Sequence, residues 1–267
     1  MIRDITIGQY YPAKSPIHRM DPRTKLFGTL IFIISVFLFH SVAGYAVATL
    51  FLAGMIIISQ VPVKFIFKGL KAIFMILMIT MVFNILLTPG EVLWKIGIFK
   101  ITREGISMAV RMAIRLIYLV IGSSLMTLTT TPNQLTDGLE RSLRPLNKIH
   151  IPVHEIAMMM SIALRFIPIL LEETDKIMKA QIARGADFES GKLIQKVKNM
   201  VPLLVPLFIS AFRRANDLAM AMEARCYHGG DNRTQMKPLH YTRRDHIAYV
   251  ILFVYLAVAI GFRVMGW

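Results

Sequence analysis

Two arginines stand in nearly the same short context, Ala183-Arg184-Gly185 and Ala224-Arg225-Cys226. Each tripeptide closes a long helix-like segment, one running from Val153 to Arg184 and the other from near Ser190 to Arg225. A guanidinium is a planar, permanently charged fork of donors, suited to bidentate recognition of a carboxylate. Gly185 fits the left-handed cap that stops a helix, and Gly229-Gly230 are expected to end the second segment slightly later. A single arginine at a helix C-terminus is explained by the helix dipole it complements. Two copies in one context point instead to paired ends that meet paired partners, each arginine reaching a carboxylate on another protein.

Other chemistry is hard to find. The seven histidines are His18, His40, His150, His154, His228, His240 and His246. His150 and His154 are four apart, but Pro152 interrupts the helix that would align them, and no carboxylate pair completes a metal site. No glycine loop of the phosphate-cradling type occurs, and no serine elbow or cysteine–histidine pairing. Cys226 reads as a small residue at a helix end. The expectation is a chain without cofactor or metal that is not an enzyme.

The elements that must carry the two ends are membrane helices. Of 267 residues 55% are hydrophobic, and the mean hydropathy is +0.56. With apolar runs as long as those here, that composition describes an integral membrane protein. The 31 Lys plus Arg against 16 Asp plus Glu fit a positive-inside bias and attraction to the anionic bilayer surface. No base-reading motif accompanies the charge, so nucleic acid is not an expected partner. The single cysteine excludes an internal disulfide.

Residues 1–25 form a polar lead-in broken by Pro12, Pro16 and Pro22, with Asp21-Pro22 placed to cap and start a helix. Five spans are expected, Leu26–Phe39, Tyr45–Ser59, Ala72–Leu87, Ile106–Leu128 and Ile247–Phe262, the first two separated at 40–44. A basic connector, 64–71, precedes the third span, whose Asn84 is expected to bond a neighbouring helix. A loop or hairpin follows over 91–105. Arg111 and Arg115 share one face of the fourth span, where they either snorkel to headgroups or form an internal charge site. A short amphipathic helix follows from Gln134 to about Ser142. None of the five spans contains an acid, which argues against a self-sufficient ion-coupled carrier. With the N-terminus cytoplasmic and the C-terminus outside, all the basic segments fall on the cytoplasmic side. The chain divides into 1–131, the lead-in and four spans; 132–242, a cytoplasmic coupling-helix region; and 243–267, the last span.

Neither long segment reads as a comfortable span. Arg165, Glu172, Glu173, Asp175 and Lys176 interrupt one, and Arg213, Arg214, Asp217 and Glu223 the other. Pro168, Pro202 and Pro206 are expected kinks. Ala211, Ala215 and Ala219 recur at four-residue spacing, a small face that lets two helices cross closely; ordinary bundle packing is the alternative. Methionines such as Met159, Met160 and Met220 suit either an adaptable binding surface or core filling. The fold class is therefore all-α and membrane-integral: about five spans, one short helix, and two long coupling helices.

These features together resemble the transmembrane (T) component of energy-coupling-factor (ECF) importers. The lead-in from Ser15 to Lys25 resembles that family's N-terminal signature, carried by His18, Arg19, Asp21, Pro22, Arg23 and Lys25. Ala183-Arg184-Gly185 matches its first coupling motif and Ala224-Arg225-Cys226 its second, with cysteine where glycine is common. The resemblance covers essentially the whole chain. It implies a scaffold in a prokaryotic cell membrane that binds two ABC-type ATPase subunits, A and A′, through Arg184 and Arg225. It also implies a membrane-embedded substrate-binding (S) component, either a dedicated one or one of several interchangeable ones, for a vitamin or other micronutrient. The alternatives are a dedicated cobalt or nickel importer of the same family, a conventional ABC permease, or a membrane enzyme acting on anionic lipid.

Overall fold

In the computed structural model, residues 10–39, 41–96, 99–188, 193–229, 236 and 238–264 are described. His40, Ser190 and Gly230, which entered the sequence reading, lie outside the described residues. The chain forms two compact units. Residues 10–138 and 239–264 make one, and residues 139–229 with 236 and 238 the other.

Helix α1, Pro22–Leu38, starts where the sequence asks: Asp21 Oδ1 accepts from the Arg23 amide at 2.9 Å, and Pro22 needs no donor at the first position. Its exposed Phe27, Leu30, Ile34 and Phe37 suit a lipid-facing surface. Helix α2, Val42–Ser59, begins three residues earlier than the expected Tyr45. Ser41 caps it by accepting from the Gly44 amide at 3.2 Å, and Gly44 lies inside the first turn. Gly44 is a packing residue: the Phe39 ring occupies the space a Cβ would need.

The basic connector is helical. Helix α3 runs Val63–Leu87 and bends by 57° between Val63–Lys71 and Ile73–Leu87. Asn84 Nδ2 donates to its own helix, to the Thr80 carbonyl at 2.8 Å, not to a neighbouring one. Strands β1, Val92–Ile96, and β2, Phe99–Thr102, pair antiparallel as a hairpin. Thr102 then donates to the Thr88 carbonyl and caps α4, Arg103–Thr129, by accepting from the Gly105 amide. Arg115 on α4 resolves the choice left by the sequence: its guanidinium donates to the Phe39 carbonyl at 3.3 Å and lies over the Phe37 ring. It thus satisfies a backbone group that the end of α1 leaves unpaired. Arg111 is exposed.

Helix α5, Pro132–Leu143, is amphipathic and precedes a 3-10 turn over Arg144–Ile149 that includes Pro145. Helices α6, Val153–Ala183, and α7, Leu193–Glu223, are 31 residues each and continue through Pro168, Pro202 and Pro206. Helix α8 is Arg243–Val264. Phe32, Val36, Tyr45, Ala48, Leu52 and Tyr255 of α1, α2 and α8 form the core of the first unit. Ser35 Oγ and the Tyr255 hydroxyl pair at 2.6 Å within it, which satisfies two buried hydroxyls at once.

Helices α2, α4, α6 and α8 are long and apolar enough to cross a membrane, and α3 is a fifth if its two arms form one span. Helix α1, with 17 residues, sits at the short end of the length a span needs, about 17–25 residues. One expectation changes. Helix α6 does meet that requirement, with an 18-residue window of mean hydropathy 1.6. The reason is charge placement: Glu172, Glu173, Asp175 and Lys176 cluster late in α6, and the stretch before them holds only Glu155 and Arg165. Helix α8 begins four residues ahead of the expected span Ile247–Phe262, which is free of acids, and so takes in Asp245. It lies in the first turn, fully buried, where it binds the Thr242 amide and hydroxyl as a capping box does.

Candidate functional site

The two arginine-bearing ends have the same backbone geometry. At the end of α6 the Gly185 amide donates to the Ile182 carbonyl and the Ala186 amide to the Gln181 carbonyl, both at 2.9 Å. At the end of α7 the Cys226 amide donates to the Glu223 carbonyl at 2.8 Å and the Tyr227 amide to the Met222 carbonyl at 3.1 Å. Each is the paired closure of a Schellman cap, which needs one residue in the left-handed region. Gly185 takes that role with φ +89°, and Cys226 takes it with φ +54°. The second helix, which ends at Glu223, is therefore closed by Cys226, ahead of the expected Gly229. Gly229, at φ +103°, lies beyond the closed cap.

Arg184 and Arg225 are the cap residues of these two ends. Both are exposed, as are Ala183, Gly185, Ala224 and Cys226. Among the described residues, neither guanidinium has a hydrogen bond or ion pair, so both forks are open to an outside acceptor.

Contacts between α6 and α7 set where the ends point. Gln181 Nε2 donates to the Pro202 carbonyl, and Arg214 pairs with Glu173. Moving back along α6 thus means moving forward along α7: the helices run antiparallel. Glu173 and Arg214 each precede the arginine of their own helix by the same 11 residues, and the two partners are 41 positions apart, as Arg184 and Arg225 are. The ion pair accordingly lies equally far along the chain from both tips. Eleven residues correspond to about 16 Å of helix rise. Antiparallel helices therefore carry the two arginines up to about 33 Å apart along their paths. The sequence exposed the repeated tripeptide but not this pairing, because the Glu173 and Arg214 charges looked like membrane obstacles rather than partners.

The small face is only partly enclosed. Ala211 is half-buried, while Ala215 and Ala219 are exposed; Ser210 and Arg214 are half-buried as well. An exposed apolar stripe, Leu204, Val205, Phe208, Ile209 and Phe212, continues along α7. Met159, Met160 and Met220 are exposed too.

The N-terminal motif is an internal fastening in the first unit. His18 is buried, with Nδ1 2.7 Å from Ser15 Oγ and Nε2 2.9 Å from the Tyr11 carbonyl. Burial, the largest influence, holds its ring below the usual histidine pKa, with the Tyr11 carbonyl opposing and Lys25 adding to the effect. Arg23 grips Asp21 with two donors, at 3.0 and 2.8 Å, and its guanidinium lies 4.0 Å from the centre of the Tyr241 ring. The Asp21 amide donates to Asp245 at 2.8 Å. Lys25 Nζ donates to the Thr129 carbonyl at 2.8 Å and the His18 carbonyl at 3.4 Å. The lead-in, the end of α4 and the start of α8 are tied together. Pro22 is buried against this knot, and of the motif residues Arg19 is the exposed one. His154, weighed as a metal ligand, pairs with Glu140 at 2.8 Å.

A family model described as "Cobalt transport protein", CbiQ, matches residues 13–236. The chain belongs to this family. Curated relatives extend the match to nearly full length. The energy-coupling factor transporter transmembrane protein EcfT of Clostridium kluyveri is 56% identical over 266 residues, covering 99% of this chain and 98% of that protein. EcfT of Ruminiclostridium cellulolyticum is 55% identical, with 96% of each chain covered. EcfT of Bacillus subtilis is 48% identical, covering 98% of this chain and 100% of its own. The resemblance read from the lead-in and the two tripeptides thus holds at the level of the CbiQ/EcfT family, and the chain is a multi-pass transmembrane component of ECF transport.

Proposed function

We propose that this chain is the scaffold through which two cytoplasmic ABC-type ATPases drive a membrane-embedded S component, with Arg184 and Arg225 as the two points of attachment. The observation that carries the reading is the pair of equivalent caps, each closed just past an arginine that lies 11 residues beyond the Glu173–Arg214 contact. Two open guanidinium forks, presented by the same backbone geometry at opposite ends of an antiparallel helix pair, suit two like acceptors that are themselves related by a two-fold. A dipole-complementing role asks for neither the matched cap nor the matched spacing from the Glu173–Arg214 contact. ATP-driven approach and separation of the ATPases would shift α6 against α7 and reorient the S component to release a vitamin or other micronutrient inside.

The apolar stripe Leu204–Phe212 supports the S-component half of the proposal. Helix α7 is too charged to be a span, yet it leaves Phe208 and Phe212 more than 60% exposed, a combination expected of a surface that a hydrophobic partner covers. The N-terminus is cytoplasmic in this reading, catalysis of ATP hydrolysis resides in the partners, and the choice of cargo lies with the S component.

The test is charge reversal at the tips. Arg184→Glu and Arg225→Glu each weaken copurification of the ATPases and reduce uptake, and the double variant abolishes both while the protein remains inserted in the membrane. Wild-type uptake and full ATPase copurification by the double variant would sink the proposal.

A further inference from the structure

The first unit contains a cavity of about 310 Å³, within the size range of small-molecule sites. It lies between α1, α2, α4 and α8, at the end of the unit where α1 and α8 begin and α2 and α4 finish. Phe51, Met55, Leu125, Met126 and Leu252 give it an apolar wall. On α1 its lining runs from Thr24 and Lys25 to Phe32, and on α8 from Arg244 to Leu252. Seven or eight residues of helix make it about 10–12 Å deep. The long apolar wall suits an unbranched hydrocarbon chain, and the polar end decides what heads it.

At that end the charges do not cancel. Asp21 is gripped by Arg23, and Asp245 turns its oxygens to the amides of Asp21 and Thr242. Against these two carboxylates stand Arg23, Lys25 and Arg244. The Lys25 ammonium is buried and donates to two carbonyls, so one of its three donors is not taken up by them. Arg244 is exposed, lines the mouth, and has no hydrogen bond or ion pair among the described residues. A cavity with an apolar shaft and a net positive mouth, in a protein surrounded by bilayer, is complementary to one class of molecule.

We propose that this cavity is a binding site for an anionic glycerophospholipid from the surrounding leaflet, with one acyl chain between α1, α2, α4 and α8 and the phosphate at Arg244 and Lys25. The site is separate from the tips and from the α7 stripe, and the proposal does not depend on the coupling role of either. Its consequence is structural: the lipid fills the space beneath the knot that joins the lead-in, α4 and α8, and so stiffens the start of α1 and α8.

The full-length protein, purified from membranes with its associated subunits, is to be photolabelled with phosphatidylglycerol that carries a diazirine on one acyl chain, and the labelled peptides mapped. The expected result is label concentrated on residues 122–129 and 247–252, competed by excess unlabelled phosphatidylglycerol and not by phosphatidylcholine. The exposed face of α3 around Phe74 and Phe83 serves as the reference for ordinary lipid contact, where neither lipid competes selectively. Arg244→Gln removes one surface cation, and the preference for phosphatidylglycerol over phosphatidylcholine should fall about fivefold. Ala248→Phe, which fills the shaft, should remove the competed label. Label no denser in the cavity than on α3, or equal competition by phosphatidylcholine, overturns the proposal. So does the finding that a free fatty acid or a polypeptide segment occupies the cavity in its place. The wild-type labelling pattern decides the matter even if Ala248→Phe does not fold.

Discussion

Exchanging the cap residues tests whether the two tips are equivalent. Cys226 holds φ +54° where glycine holds φ +89° in the first tip. A Cβ in the left-handed region costs about 1–2 kcal/mol, and glycine gives back about 0.4–1 kcal/mol through the greater freedom of the unfolded chain. Cys226→Gly should therefore tighten its cap by about 0.5–1 kcal/mol, a two- to fivefold change in the local opening equilibrium. Gly185→Cys should loosen the first cap by the same factor. A Cβ at Gly185 meets nothing within 4 Å, so the effect is backbone strain and not collision. Gly185→Val, branched at Cβ, should be worse than Gly185→Cys. The readout is hydrogen exchange at the amides that close the caps, Ala186 and Tyr227, followed in the full-length protein. Protection at Tyr227 rises in Cys226→Gly, and protection at Ala186 falls in Gly185→Cys. If Cys226→Gly lowers protection at Tyr227, or Gly185→Cys leaves Ala186 unchanged, the two ends do not share one cap and the tips are not a matched pair.

Lys25→Met should cost about 1–3 kcal/mol, because it strips the donor from the Thr129 carbonyl in a buried site. Arg19→Ala, in the same motif but exposed, should change stability by no more than about 0.5 kcal/mol; thermal unfolding of the two variants side by side checks the contrast. His18 is held neutral in the fold, since its pKa lies below the ordinary 6.5. Its contribution to stability is complete above that value and is lost as pH falls beneath it, when the unfolded chain binds the extra proton. The melting temperature of the wild type should drop more steeply than that of His18→Gln as the pH falls below 6.5.

The chemistry-bearing residues were legible because their signals are local. A repeated tripeptide at two helix ends, Asp-Pro before an apolar run, and a motif rich in charge just outside hydrocarbon each show in a short window. The packing that gives these residues their roles is not local. Gly44 looked like a helix breaker because nothing in its neighbourhood reveals that the Phe39 ring needs its space. Arg115 fitted two readings until the Phe39 carbonyl, on another helix, appeared beside it. Hydropathy marks where apolar residues begin and so places Asp245 outside the last span, whereas the helix starts where Thr242 and Asp245 close a cap. The total charge of α6 speaks against a span, and the distribution of that charge along the helix gives a different answer.

The spacing of the two tips bears on why the motif occurs twice in one chain. A monomer has no symmetry of its own to offer a pair of identical partners. An antiparallel pair of equal helices supplies an approximate two-fold, provided the contact between them lies equally far from both ends. Helices α6 and α7 have the same length, and the Glu173–Arg214 pair lies 11 residues before each tip. The residues at that contact are unlike, an acid on one helix and a base on the other, so the contact is an attraction where two identical charges would repel. The cap residues differ as well, glycine on one side and cysteine on the other, yet they reach the same hydrogen bonds. What is matched between the helices is therefore the geometry at the tips and its distance from the crossing, not the sequence along the way. That selective match is what attachment to two equivalent sites would require of a single chain.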